Sequence, residues 1–63
     1  RDHVRKSIVA KKFIKKGEIY SPDNIDCKRP GNGLSPFMWD KLIGKVAHQK
    51  YEIDEQIDEQ IEE

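Results

Sequence analysis

The residues of this chain best suited to chemistry stand in one stretch, Lys28-Arg29-Pro30-Gly31-Asn32-Gly33-Leu34-Ser35-Pro36. Arg29 carries a guanidinium, a permanently charged planar fork of donors. Pro30 fixes its own φ. Gly31 and Gly33 allow tight turns and close approach of the main chain, and Asn32 tolerates the left-handed region. Ser35 and Pro36 then read as a helix start, so both ends of the loop are anchored. Taken alone, this pattern fits two descriptions. It is a plain turn beside a surface cation, or it is a stiff lip that holds a guanidinium steady.

No other residues form a chemical constellation. Cys27 reads as a small buried hydrophobe, since no positive, exposed setting for a thiolate is evident. His48 reads as a surface or hydrogen-bonded residue, because no carboxylate-histidine-nucleophile set accompanies it. The carboxylates are not arranged for general acid-base work. No Cys/His cluster has zinc spacing, and one cysteine excludes an internal disulfide. The expectation is a domain with no catalytic residue, metal site or cofactor of its own.

The elements that must position Arg29 are few. Sixty-three residues make one small domain. Such a chain buries only about 60% of the surface its unfolded form exposes. Hydrophobic residues are 35% and charged residues 38% of it, so nearly every apolar side chain is needed for the core. With no disulfide or metal to help, contact with a partner or parent domain is one remedy. The chain starts at Arg1 rather than Met, so it is expected to be a piece of something longer, with residues 1–5 as a linker. No signal peptide or spanning apolar run is present, and a cytoplasmic setting is expected.

Net charge is zero, but residues 1–29 carry nine Lys/Arg against four Asp/Glu, and residues 51–63 carry seven acids and no cation. Asymmetry of this kind can mark a nucleic-acid arm or an acidic tail. Here the lysines alternate with Ser-Ile-Val-Ala and Phe-Ile, which reads as the outer face of strands.

Residues 6–14 read as one strand, or two short ones meeting at Lys11-Lys12. Residues 15–18 read as a turn through Gly17, followed by extended Ile19-Tyr20. Ser21-Pro22 starts a single helical turn. Residues 25–29 alternate, with Ile25 and Cys27 on one side and Asp26 and Lys28 on the other. Residues 35–44 are the strongest helix, capped by Ser35 and ended by a left-handed Gly44. In it Trp39, Leu42 and Ile43, with Met38 beside them, form a core stripe. Residues 45–51 read as another short strand.

The tail is open to two readings. Ile53, Ile57 and Ile61 stand four apart, which is helical spacing. An internal echo gives the other. Residues 9–19 (VAKKFIKKGEI) and 46–57 (VAHQKYEIDEQI) align if one inserted residue is allowed, and each is trailed by a polar stretch ending in isoleucine, Ile25 and Ile61. In that case the halves pack about a pseudo-dyad, 54–56 is a turn like that at Gly17, and only 58–61 is helical.

Together, the motifs SIVAKK.IKKGE, KRPGNGLSP and W...IGK, in that order and spacing, resemble the antifreeze-like or SAF domain found at the C-terminus of bacterial sialic acid (N-acetylneuraminate) synthases. The resemblance runs over residues 5–61. It implies a mostly β fold with short helical turns, the β-clip or type III antifreeze-like pretzel, with an internal pseudo-two-fold. It implies that the tail is strand plus turn. It further implies a parent enzyme with an N-terminal (β/α)8 barrel holding the catalytic groups and a divalent Mn or Mg. Such enzymes are transferases that condense phosphoenolpyruvate with N-acetylmannosamine or a related N-acyl hexosamine. In their domain-swapped homodimer the antifreeze-like domain covers the partner subunit's barrel, and an arginine matching Arg29 reaches the sugar's N-acyl group. Pro30, Gly31, Asn32 and Gly33 would support it. The pattern KRPGNGLSP with Trp39 leans toward the neuraminic or legionaminic group.

Other roles occur with this fold. An ice-binding face must be flat and poor in charge, which Lys11, Lys12, Lys15 and Lys16 oppose. A nucleic-acid, pilus or flagellar accessory module has only the basic first half in its favour, and zero net charge argues against it. No nucleic acid or membrane is expected as partner.

Overall fold

The computed structural model describes residues 6–29 and 33–61. Two strands, β1 (Ser7–Ala10) and β2 (Ile25–Lys28), pair antiparallel with Ser7 opposite Lys28 and Ala10 opposite Ile25. A 3-10 turn (Pro36–Met38) runs into one short helix, α1 (Trp39–Leu42). The rest of the ladder consists of isolated bridges, Val9–Gln56, Ile14–Tyr51 and Ile19–Val46. The domain is small and mostly β.

β1 is buried at all four positions, because β2 lies on one edge and residues 55–57 on the other. β2 keeps the alternation of its sequence: Ile25 is buried, Cys27 half-buried, Asp26 and Lys28 exposed. The chain bends at Lys11-Lys12, so the first apolar run is indeed split in two.

The echo between the halves is physical, and no inserted residue is needed. Val46 stands 37 residues after Val9, and the hydrogen bonds exchange under that offset. Gly17 donates its N–H to Ala47 and Asp54 to Ala10, each at 2.8 Å. Ala10 donates to Glu55 and Ala47 to Glu18, again at 2.8 Å. Ile57 bonds Ile8 at 3.0 Å as Tyr20 bonds Lys45 at 2.9 Å. Ile14 and Tyr51 exchange two bonds of 2.9 Å with each other. Even the turn carboxylates match: Glu18 accepts from Lys15 N–H at 2.9 Å and Glu55 from Glu52 N–H at 2.8 Å. The same pairs supply the core, where Ala10, Ala47, Ile14, Tyr51, Tyr20 and Ile57 are buried with Ile8, Ile25 and Leu42.

Several expectations need correction. The helix expected over 35–44 is only a 3-10 turn and one α turn, because Pro36 starts it and Gly44, at φ +92, stops it. Its Ser35 cap stands, with Oγ accepting from Phe37 N–H at 3.2 Å. Of the stripe, Leu42 is buried while Met38, Trp39 and Ile43 pack half-buried on the core. Residues 45–51 form no continuous strand; Val46 and Tyr51 make single bridges on either side of a bend at 48–49. Ser21-Pro22 begins a hydrogen-bonded turn, not a helical one. Residues 58–61 are not helical. The turn there is centred on Ile53-Asp54, and Ile53 is exposed while Ile57 is buried, which breaks the four-residue stripe.

Candidate functional site

Arg29 follows directly on β2 and is exposed in a bend. Among the described residues no hydrogen bond or ion pair engages it. Lys28, its neighbour, is turned aside. Lys28 Nζ lies 2.7 Å from Asp54 Oδ1, and the hydrogen bond and negative charge of Asp54 raise the lysine's pKa. The two adjacent cations thus differ in their surroundings: Lys28 ends β2 and is paired, and Arg29 stands in the bend beyond it.

The far end of the loop lies close to the same turn region. A Cβ built on Gly33 would stand 2.8 Å from Gln56 Oε1, so glycine permits close approach to Gln56. Leu34 C=O accepts from Ile8 N–H at 3.0 Å. Residues 54–56 thus lie beside both ends of the loop, with Asp54 paired to Lys28 at its start and Gln56 close to Gly33 at its end. Pro30, Gly31 and Asn32, also named as supports of Arg29, and the linker 1–5 lie outside the described residues.

A second polar cluster was not evident in the sequence. Glu59, whose side chain is 10% exposed, has Oε2 2.6 Å from Tyr20 OH, 3.1 Å from Tyr51 OH, 3.0 Å from His48 N and 2.8 Å from His48 Nδ1. Burial acts to raise its pKa, but the hydrogen bonds from Tyr20, His48 and Tyr51 outweigh that, and the carboxyl is held below its ordinary value. Burial pushes both tyrosine hydroxyls up. Tyr51 OH also accepts from Asp58 N–H at 3.1 Å. This clasp ties the tail to both halves. Its one exposed member is His48, which is a surface, hydrogen-bonded residue as its sequence setting suggested.

Burial raises the Cys27 thiol, with Asp26 adding to the effect, so it is not poised as a nucleophile. Among the described residues no group of three His, Cys, Asp or Glu side chains could hold a metal ion. Among them too, no helix is long and apolar enough to cross a membrane. Lys11, Lys12, Lys15 and Lys16 are all exposed. Among the described residues, Arg29 is thus an exposed guanidinium with no hydrogen-bond or ion-pair partner.

Residues 5–60 match the family model of the SAF domain, and the chain belongs to that family. Its relatives include enzymes named as synthases of sialic-acid-like sugars. It is 54% identical over 56 residues to N,N'-diacetyllegionaminic acid synthase of Campylobacter jejuni, covering 89% of this chain and 17% of that protein. It is 41% identical over 54 residues to a pseudaminic acid synthase of the same species, covering 86% and 16%. An uncharacterised protein of Methanocaldococcus jannaschii is 44% identical over 55 residues, covering 87% and 15%. The chain thus spans about one sixth of the length of these relatives.

Proposed function

We propose that this chain is the substrate-covering accessory domain of a synthase that condenses phosphoenolpyruvate with N-acetylmannosamine or a related N-acyl hexosamine. Arg29 bonds the N-acyl carbonyl of the sugar in the barrel of the partner subunit, within a cytoplasmic homodimer. The observation that carries this reading is the exposed Arg29, unengaged among the described residues, beside a Lys28 that is already paired. The relatives' names support the reaction class. The paired bonds at an offset of 37 support the β-clip with its internal pseudo-two-fold.

The domain's part is orientation. A guanidinium donates charge-assisted hydrogen bonds to a carbonyl in a fixed direction. Placed at the end of β2, it presents the sugar in one pose for attack on the three-carbon donor. Covering the barrel mouth also excludes water. A divalent Mn or Mg belongs to the barrel on this reading. The described residues of this domain offer no ligand set for it.

The test is Arg29→Ala in the full-length synthase. Loss of hydrogen bonds to a charged donor predicts a fall in kcat/KM for the amino sugar of about 10- to 100-fold, mostly through KM. Metal binding should be unchanged. Wild-type kinetics would remove the assignment.

A further inference from the structure

Positions 17 and 54 are equivalent under the offset of 37, and both take the left-handed backbone conformation, φ +91 at Gly17 and φ 69 at Asp54. Glycine adopts it without steric cost, whereas any residue with a Cβ is strained there, Asp less than most. Among the described residues Asp54 is the one non-glycine with positive φ. The two turns make the same backbone bonds, and nothing lies within 4 Å of a Cβ built on Gly17. The turn itself therefore needs no side chain at position 54. The side chain at 54 reaches Lys28, and that ion pair is more than half exposed on both partners, so it adds little to stability. Strain kept for an exposed contact points to a use other than folding.

We infer that Asp54 is a positioning residue for Arg29. By drawing Lys28 onto the 53–54 turn it sets the direction of the side chain next to Arg29, at the end of β2. It also keeps the second cation of the lip from competing for the same ligand. This rests on the reading of Arg29 as the group that meets the sugar.

The experiment compares Arg29→Ala, Asp54→Gly, Asp54→Asn and the double variant Arg29→Ala/Asp54→Gly in the full-length synthase. Asp54→Gly should raise KM for the N-acyl hexosamine by about two- to fivefold, the range that an exposed ion pair's energy converts to. Its kcat should be unchanged and its Tm equal to wild type or higher, since glycine relieves the strain. Asp54→Asn, which keeps the tolerance for the left-handed region but not the charge, should raise KM in the same direction. In the Arg29→Ala background Asp54→Gly should add nothing. If Arg29→Ala raises KM but Asp54→Gly does not, the positioning role fails while the role of Arg29 stands. A lowered Tm for Asp54→Gly, or an equal effect in both backgrounds, would also overturn it by showing a role in folding or one independent of Arg29. Wild-type KM in Arg29→Ala would instead remove the functional reading on which the inference rests.

Discussion

Residues 9–20 and 46–57 share one hydrogen-bond scaffold, yet they differ in what is built around it. On the first half β2 lies along the bridge at Val9, which is 4% exposed. On the second half the equivalent bridge joins Val46 and Ile19, and both are more than half exposed. The turn at Gly17 is flanked by Lys15, Lys16 and Glu18; the turn at Asp54 is flanked by Glu52 and Glu55. Where Lys11 N–H finds the backbone carbonyl of Asn24 at 2.8 Å, His48 N–H finds the Glu59 carboxylate at 3.0 Å. The shared bonds hold the domain together. The unshared parts are β2, the Asp54 side chain and the Glu59 clasp.

That contrast can be broken at the seam, where the largest effect is expected. Tyr51 is fully buried and exchanges backbone bonds with Ile14, so Tyr51→Ala removes a large side chain from the centre of both halves. The cost expected for a buried aromatic is about 3–5 kcal/mol, enough to unfold a domain of this size on its own. Ile14→Val on the other side of the seam should cost about 0.5–1.5 kcal/mol. Thermal unfolding by circular dichroism reads both. Equal, small losses would mean that the seam is not the core.

The clasp comes next. Glu59→Ala leaves the hydroxyls of Tyr20 and Tyr51 without their carboxylate acceptor, at about 1–3 kcal/mol. The pH dependence follows from the depressed pKa of Glu59. Its contribution is fully present above the ordinary Glu value of about 4.3 and is lost as pH falls through the lower folded value. Denaturation midpoints should therefore drop in acid for the wild type and drop less for Glu59→Ala. Parallel acid profiles would place the acid sensitivity elsewhere.

The smallest effect sharpens the comparison of the two turns. Gly17→Ala forces a Cβ into the left-handed region with no neighbour to meet, and should cost about 1 kcal/mol from the backbone alone. Asp54→Gly, at the equivalent place, should not lower stability. A loss of stability in both would show that the two turns are not equivalent.

Much of this was legible in the residues. Ser35 and Gly44 bound the helical stretch because capping and positive φ are local demands that particular residues meet. Gly17 marked its turn for the same reason. The equivalence of the halves was visible, but only with a spurious inserted residue, because Asp54 stands where Gly17 does and hides the match. Glu59 could not be picked from the acidic run of the tail: each acid there reads alike until the fold brings Tyr20, His48 and Tyr51 around one of them. The four-residue spacing of Ile53, Ile57 and Ile61 misled for a related reason, since the ladder bonds of Asp54 and Ile57 to β1 override it.

On the proposed function, Arg29 recognises the N-acyl group of an acceptor sugar. The most direct measurement is kcat/KM of the full-length synthase and its Arg29→Ala variant on two acceptors, an N-acyl hexosamine and the same hexose with hydroxyl in place of the acylamino group. Wild type should prefer the N-acyl sugar, and Arg29→Ala should lose most of that preference, falling on the first acceptor but little on the second. An equal fall on both, or none on either, would contradict it.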